Sequence, residues 1–198
     1  MSKTIYVSYG TEDYLPRLMK MVKSLMKQGI PSSRIDVQEC DIQGSWHKRV
    51  KAKVAFMQEM ADKYPKNNIA WVDADCVCVQ FPEFLETFDG EWGMAREPRH
   101  GRYDNWYLSN CYIIKPTDKS KQMLAHWAYH TKHIVSRTPT QTAFNQCFEI
   151  HQPKLNLDFR FVPLSYCWYA KHSDKAPYNK IKPVFIHDIA SRKTLMKR

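Results

Sequence analysis

Asn68-Ile69-Ala70-Trp71-Val72-Asp73-Ala74-Asp75-Cys76-Val77-Cys78-Val79 decides the fold. An apolar run enters this stretch and a β-branched run leaves it, with two carboxylates one residue apart between them. A short apolar run reads as a buried strand, and Asp is depleted in strands. Two acids where a strand should end therefore require a reason. A bare D-x-D also arises in strand-terminal turns, where Asp accepts backbone hydrogen bonds. The alternative is a divalent cation, because hard cations take carboxylate oxygens. In open α/β sheets, ligands gather at the carboxyl ends of strands.

Working outward, the same pattern repeats upstream. Thr4 to Tyr9 predicts a strand ended by Gly10-Thr11. Glu12 to Gln28 carries Leu15, Leu18, Met19, Val22, Leu25 and Met26 at helical spacing, closed by Gly29 as C-cap and Pro31. Arg34 to Cys40 predicts a second strand. His47 to Tyr64 predicts a second helix, with Val50, Val54, Met57 and Met60 on one face, and Pro65 to Asn68 turns into the opening stretch. This β-α-β-α-β order signals a parallel sheet with helical crossovers.

Downstream the pattern is mixed. Phe81 to Glu86 predicts a short helix, Trp92 to Arg96 a strand, and Pro98 to Asn105 a polar loop. Trp106 to Ile114 predicts a strand with Ser109-Asn110 inside it. Asp118 to His133 and Gln141 to Glu149 predict helices. Leu155 to Val162 alternates like a half-exposed strand, and Pro183 to His187 predicts a last strand. The expectation is one α/β domain over 1–198, with a mixed, mostly parallel central sheet flanked by helices. Residues 1–80 are its regular α/β half and 81–198 its mixed half.

Composition narrows the function classes. The chain of 198 residues has six Gly and neither GxGxxG nor GxxxxGK[ST], which argues against dinucleotide-binding and P-loop readings. The formal net charge is +10. Between Lys171 and Arg198, eight Lys/Arg stand against Asp174 and Asp188, so +6 of it lies there. A basic balance suits an anionic partner or simply a solvated surface. The six Cys form no CxxC and no zinc-finger spacing, and read as free thiols of a reducing compartment. No run of about 18 apolar residues occurs, so the expectation is a cytoplasmic monomer without a transmembrane segment.

Several side chains stand out for chemistry. Arg49 and Lys53 are four apart on the second helix and share a face; such a pair is either solvated or a phosphate clamp. Tyr9, Gly10 and Thr11 close the first strand, where Tyr9 can stack on a base and Gly10 admits a ligand to the backbone. Thr11 equally suits a helix cap. His187 ends the last strand and offers an imidazole. His126, His130 and His133 lie at helical spacing without HExxH or a cysteine partner, and read as a surface stripe.

Trp71-Val72-Asp73-Ala74-Asp75 with Val77 and Val79 resembles the D-x-D core of GT-A glycosyltransferases. Thr140-Gln141-Thr142-Ala143-Phe144-Asn145 resembles the D-Q-x-x-φ-N segment of the glycogenin and lipopolysaccharide galactosyltransferase-like families, where φ is an apolar residue. Ser109 to Ile114 is similar to their F-N-S/A-G-φ-φ-φ strand, and Ile186-His187-Asp188 to their late φ-H-φ segment. Thr140 and Cys111 depart from the usual Asp and Gly. The chain's compactness resembles stand-alone transferase domains of bacteria and large DNA viruses.

The resemblance implies a UDP-sugar or other nucleotide-sugar donor and a glycan or other hydroxyl acceptor. It implies Mn²⁺ or Mg²⁺ held by Asp75 and His187, with Asp73 on the ribose or the metal. Tyr9, Gly10, Thr11, Arg49, Lys53, Ala74 and Asn110 would then border the nucleotide sugar, and Gln141 would line the sugar. Asp104 or Asp158 would serve as base if the reaction inverts. Trp106, Tyr107, Trp168 and Tyr169 are candidates for stacking on an acceptor. No nucleic acid is expected. The alternatives are a basic nucleic-acid-binding domain, or a nucleotidyltransferase, whose usual Gly-rich basic loop is missing here.

Overall fold

The computed structural model describes residues 3–42, 45–98, 105–136, 138–169 and 178–187. The elements in chain order are β1 (Thr4–Gly10), α1 (Leu15–Lys27), β2 (Ile35–Glu39), α2 (Trp46–Lys63), β3 (Asn68–Val72), β4 (Cys76–Cys78), α3 (Glu83–Glu86), β5 (Trp92–Pro98), β6 (Asn105–Ile114), α4 (Asp118–His133), α5 (Pro139–Leu155), β7 (Phe159–Phe161), β8 (Trp168–Tyr169) and β9 (Phe185–His187). The main sheet has the order β2-β1-β3-β6-β5-β7, and a small sheet has the order β4-β9-β8. In the main sheet β6 alone is antiparallel to its neighbours β3 and β5; the other pairings are parallel. The expected mixed, mostly parallel sheet flanked by helices is therefore present.

Strand alternation builds two cores. Tyr6 of β1, Ala70 and Val72 of β3 and Ile113 of β6 point to one face, where Leu18, Met21 and Leu25 of α1 cover them. Ile5, Val7, Ile69, Trp71, Tyr112 and Ile114 point to the other, under Met57 and Met60 of α2, Trp127 of α4 and Phe144 of α5. Period-two alternation produces this split. On the second face Trp92 stacks on Tyr112 with ring centres 6.3 Å apart, and Trp127 meets Phe144 edge-on at 5.0 Å.

Helix ends follow their local signals. Gly29 takes φ +88° after α1, with Gly29 N–H donating to the Met26 carbonyl and Ile30 N–H to Leu25. That pairing is the left-handed closure glycine permits. The Ser45 hydroxyl accepts from Lys48 N–H at the start of α2. Among the described residues no helix is long and apolar enough to cross a membrane.

The segment after the acidic turn leaves as β4 and pairs with β9, Cys76 opposite His187. One boundary departs from the sequence expectation. Helix α5 runs through Pro153 to Leu155, so the expected strand from Leu155 shrinks to Phe159–Phe161. Pro153 lies inside the last turn of α5 and has no N–H to donate to the Glu149 carbonyl four residues back, so that rung of the helix is missing.

Gly93 marks the tightest strand packing. A Cβ there would stand 2.7 Å from Ile113 Cγ2 and 2.9 Å from the Phe88 ring. Gly93→Ala is therefore expected to lower stability by about 1–3 kcal/mol through overpacking, read as a drop in the urea midpoint at unchanged m-value.

Candidate functional site

A cleft of about 220 Å³ opens at the carboxyl ends of β1 and β3. Its lining includes ten of the expected residues: Tyr9, Gly10, Thr11, Arg49, Lys53, Asp73, Ala74, Asp75, Asn110 and Gln141. They arrive from β1, α2, the β3–β4 turn, β6 and the first turn of α5. Tyr169 of β8 borders the same space. Trp106 and Tyr107, by contrast, are core residues.

The acidic turn is held from several sides. Asp73 N–H donates to the Asn110 carbonyl at 2.9 Å, and Cys76 N–H to the Asp73 carbonyl at 3.1 Å. Lys53 Nζ lies 2.6 Å from Asp73 Oδ1 and 3.0 Å from the Ser109 carbonyl, and also 4.8 Å from the centre of the Trp71 ring. Trp71 Nε1–H donates to the same Oδ1 at 2.7 Å. The Lys53 side chain is only 8% exposed and that of Asp73 29%. Lys53 thus reaches the cleft, but as the partner of Asp73 rather than as a free phosphate clamp. Burial is the reason: an ammonium out of water requires an opposite charge beside it.

Arg49 sits nearer solvent. Its guanidinium donates to the Thr11 hydroxyl and to the Asp13 carboxylate, each at 3.2 Å, and its Nε is buried with no partner. The Thr11 hydroxyl donates to Asp13 instead of capping the following turn. The Tyr9 ring is wedged between Phe56 and Trp71, and its hydroxyl donates to the Arg49 carbonyl. Burial, and then the Asp73 charge, push the Tyr9 phenol well up, so it stays a neutral donor.

Asn110 is the unusual member. It is buried, and both of its amide atoms lack a hydrogen-bond partner. A buried amide left unpaired is unfavourable by the desolvation of each group, and this one borders the cleft. Ser109 stands beside it.

The candidate metal-ligand group differs from the expected trio of Asp73, Asp75 and His187. Ligand atoms of Asp75, Cys76 and His187 lie within 4.8 Å of one another, whereas Asp73 Oδ1 is engaged by Lys53 and Trp71. His187 is buried behind the turn and does not line the cleft. Its Nε2 lies 3.0 Å from the Tyr166 carbonyl and its Nδ1 2.7 Å from Cys76 Sγ. A carbonyl only accepts, so Nε2 carries the proton and Nδ1 presents its lone pair. Burial holds His187 below its ordinary range, hence neutral. The Cys76 thiol is pushed far up by burial and then by Asp75 and Asp73, so it stays protonated.

Of the two expected bases, one falls elsewhere. Asp158 lies at the opposite end of the sheet, just before Phe159, which pairs with Trp92, itself opposite Ile114. Its carboxylate pairs with Arg160 at 3.0 Å and its N–H donates to Glu91. Asp104 lies outside the described residues, as does most of the basic tail.

Tyr14, Val50, Trp71, Ser109, Thr138 and Thr140 also line the cleft, and Cys76 joins the candidate ligand group, none of them a site candidate on sequence grounds. For Trp71 a signal existed: alternate positions share a strand face, which aims residue 71 at residue 73.

No protein-family model matches the chain, and no curated protein sequence matches it. Solved structures do. A glycosyltransferase involved in glycosylating the major capsid of PBCV-1 superposes with TM-score 0.68 at 13% identity, covering 99% of this chain and 100% of that one. The fold is that of a glycosyltransferase. The bifunctional glycosyltransferase WbbM matches with TM-score 0.65 at 11% identity over 94% of this chain and 46% of its own. The galactosyltransferase LgtC, solved with donor and acceptor sugar analogues, matches with TM-score 0.54 at 11% identity over 93% and 86%. This chain thus spans all of the viral enzyme but about half of WbbM.

The two acids of the turn should separate in a stability measurement. Asp73→Ala leaves the Lys53 ammonium buried without its carboxylate and is expected to lower stability by about 3 kcal/mol. Asp75→Ala leaves that ion pair intact and is expected to lower it by less. Paired urea denaturation curves check the difference.

Proposed function

We propose that the cleft transfers a sugar from a nucleotide-sugar donor, a UDP-sugar in the first instance, to a hydroxyl of a glycan or glycoconjugate acceptor. The observation that carries this reading is the convergence, at the end of β3, of Asp75 and a neutral buried imidazole beside a cleft whose wall holds an unsatisfied amide. The glycosyltransferase fold supports it.

The residues present fit a divalent cation in two respects. Nε2–H of His187 is fixed on a backbone carbonyl, which is how metal-binding imidazoles are oriented, and Asp75 supplies a hard oxygen close by. The Cys76 thiol would turn aside from Nδ1. Asp75 and His187 would hold Mn²⁺ or Mg²⁺, with Mn²⁺ better suited to a nitrogen ligand. When bound, the cation supplies Lewis-acid neutralisation of the charge growing on the departing diphosphate.

The chain's own groups do the rest. Lys53 neutralises Asp73 and fixes its carboxylate, so the turn does not rearrange as a charged ligand arrives; preorganised charge of this kind is what stabilises a developing anion. Arg49, with a buried Nε still unpaired, adds positive charge at the mouth. Tyr9, Gly10 and Thr11 border the nucleoside side. The Asn110 amide offers a donor and an acceptor to a ligand hydroxyl, and Gln141 faces it from the first turn of α5. Asp158 is too far away to deprotonate an acceptor.

UDP release from UDP-sugars is the measurement. Turnover is expected with Mn²⁺, abolished by EDTA, and lowered about 100–1,000-fold in Asp75→Ala, the scale of losing one charge-stabilising group. Full activity in EDTA would refute the metal-assisted mechanism. Salt-sensitive binding of single-stranded nucleic acid, with no response to Mn²⁺ and UDP, would favour a nucleic-acid-binding domain instead.

A further inference from the structure

The histidines of α4 are not an isolated stripe. Helix α4 carries His126 and His130 four residues apart, and α5 carries Cys147 and His151 four residues apart. Residues so spaced share a helix face, and these two faces meet where α4 packs on α5. The His126 and His151 rings stack 3.6 Å apart at 11°, and the His130 and His151 ring centres are 5.7 Å apart. One ligand atom from each of His130, Cys147 and His151 lies within 4.8 Å of the others. Ligand atoms around a tetrahedral zinc, with bonds of about 2.0–2.3 Å, stand roughly 3.3–3.8 Å apart. Small side-chain rotations close that gap. His133 is not part of the group; its Nδ1 is turned onto the Tyr129 carbonyl at 2.8 Å.

Cys147 is fully buried at the floor of the group, with Met123 Sδ 3.5 Å away.

We propose that His130, Cys147 and His151 bind a zinc ion that staples α4 to α5 outside the sugar-transfer cleft. A thiolate with two imidazoles is a zinc donor set, poorly suited to Mn²⁺ or Mg²⁺. On binding, the Cys147 proton leaves to solvent as the Zn–S bond forms, and nothing is oxidised or reduced. The fourth position falls to His126, stacked on His151, or to water. None of the three ligands lines the cleft, yet the first turn of α5 carries Thr140 and Gln141 into it. The staple therefore fixes the helix that presents them. This inference is independent of the reading of the cleft.

The test uses reduced, EDTA-treated full-length protein loaded with Co²⁺ and then titrated with Zn²⁺. A thiolate-to-cobalt charge-transfer band in the near ultraviolet is expected in the wild type and in Asp75→Ala, reversed by one equivalent of Zn²⁺. Cys147→Ser should lose the band. His151→Gln should weaken Zn²⁺ binding by more than about 100-fold, beyond the effect of removing an outer-shell partner. His151 is only half-buried, so the metal-free His151→Gln protein should melt where metal-free wild type melts. A rise in Tm with Zn²⁺ is expected in wild type and in Asp75→Ala, and not in Cys147→Ser or His151→Gln. Absence of the band in wild type, its survival in Cys147→Ser, or its loss in Asp75→Ala would overturn the assignment.

Discussion

The Lys53–Asp73 ion pair is the constraint around which the cleft is arranged. One ammonium, nearly withdrawn from water, ties α2 to the end of β3 and, through the Ser109 carbonyl, to β6. Such a pair contributes little net stability compared with an apolar contact, but breaking it from one side is strongly unfavourable. Its consequence is geometric. Asp73 is fixed by Lys53, Trp71 and its own backbone bond to Asn110, which leaves Asp75 as the carboxylate beside His187. Two acids that look equivalent in the sequence thus differ in their surroundings: Asp73 is paired with Lys53, and Asp75 stands within reach of Cys76 and His187.

The antiparallel insertion of β6 makes that arrangement feasible. Running against β3, it carries Ser109 and Asn110 to the level of Val72 and Asp73. A parallel strand would present a different end there. The small β4-β9-β8 sheet then folds back behind the turn and delivers His187 to Cys76, while Tyr169 from β8 reaches the cleft. The cleft is therefore assembled from six separated segments of chain.

Local signals in the sequence accounted for much of this. The β-α-β-α-β opening, the Gly29 closure of α1 and the acidic pair at a strand end were legible because each rests on neighbouring residues. What was not legible depends on long-range pairing. Cys76 and His187 are 111 residues apart, and nothing local says that residues 76–78 leave the main sheet. Lys53 read as a cation available to a ligand, because its burial against Asp73 follows only from how α2 packs. Asp158 looked plausible on residue type and was misplaced by topology, since β7 begins at the far end of β5. Histidines 126 and 130 looked solitary because Cys147 and His151 reach them across a helix–helix contact.

Electron paramagnetic resonance of Mn²⁺ in the presence of UDP tests the central claim most directly, because it observes the cation at the acidic turn without requiring the right sugar or acceptor. With wild-type protein and UDP, the signal of free aqueous Mn²⁺ should disappear at one equivalent; in Asp75→Ala it should persist. A free Mn²⁺ signal undiminished by the wild-type protein and UDP together would contradict the account.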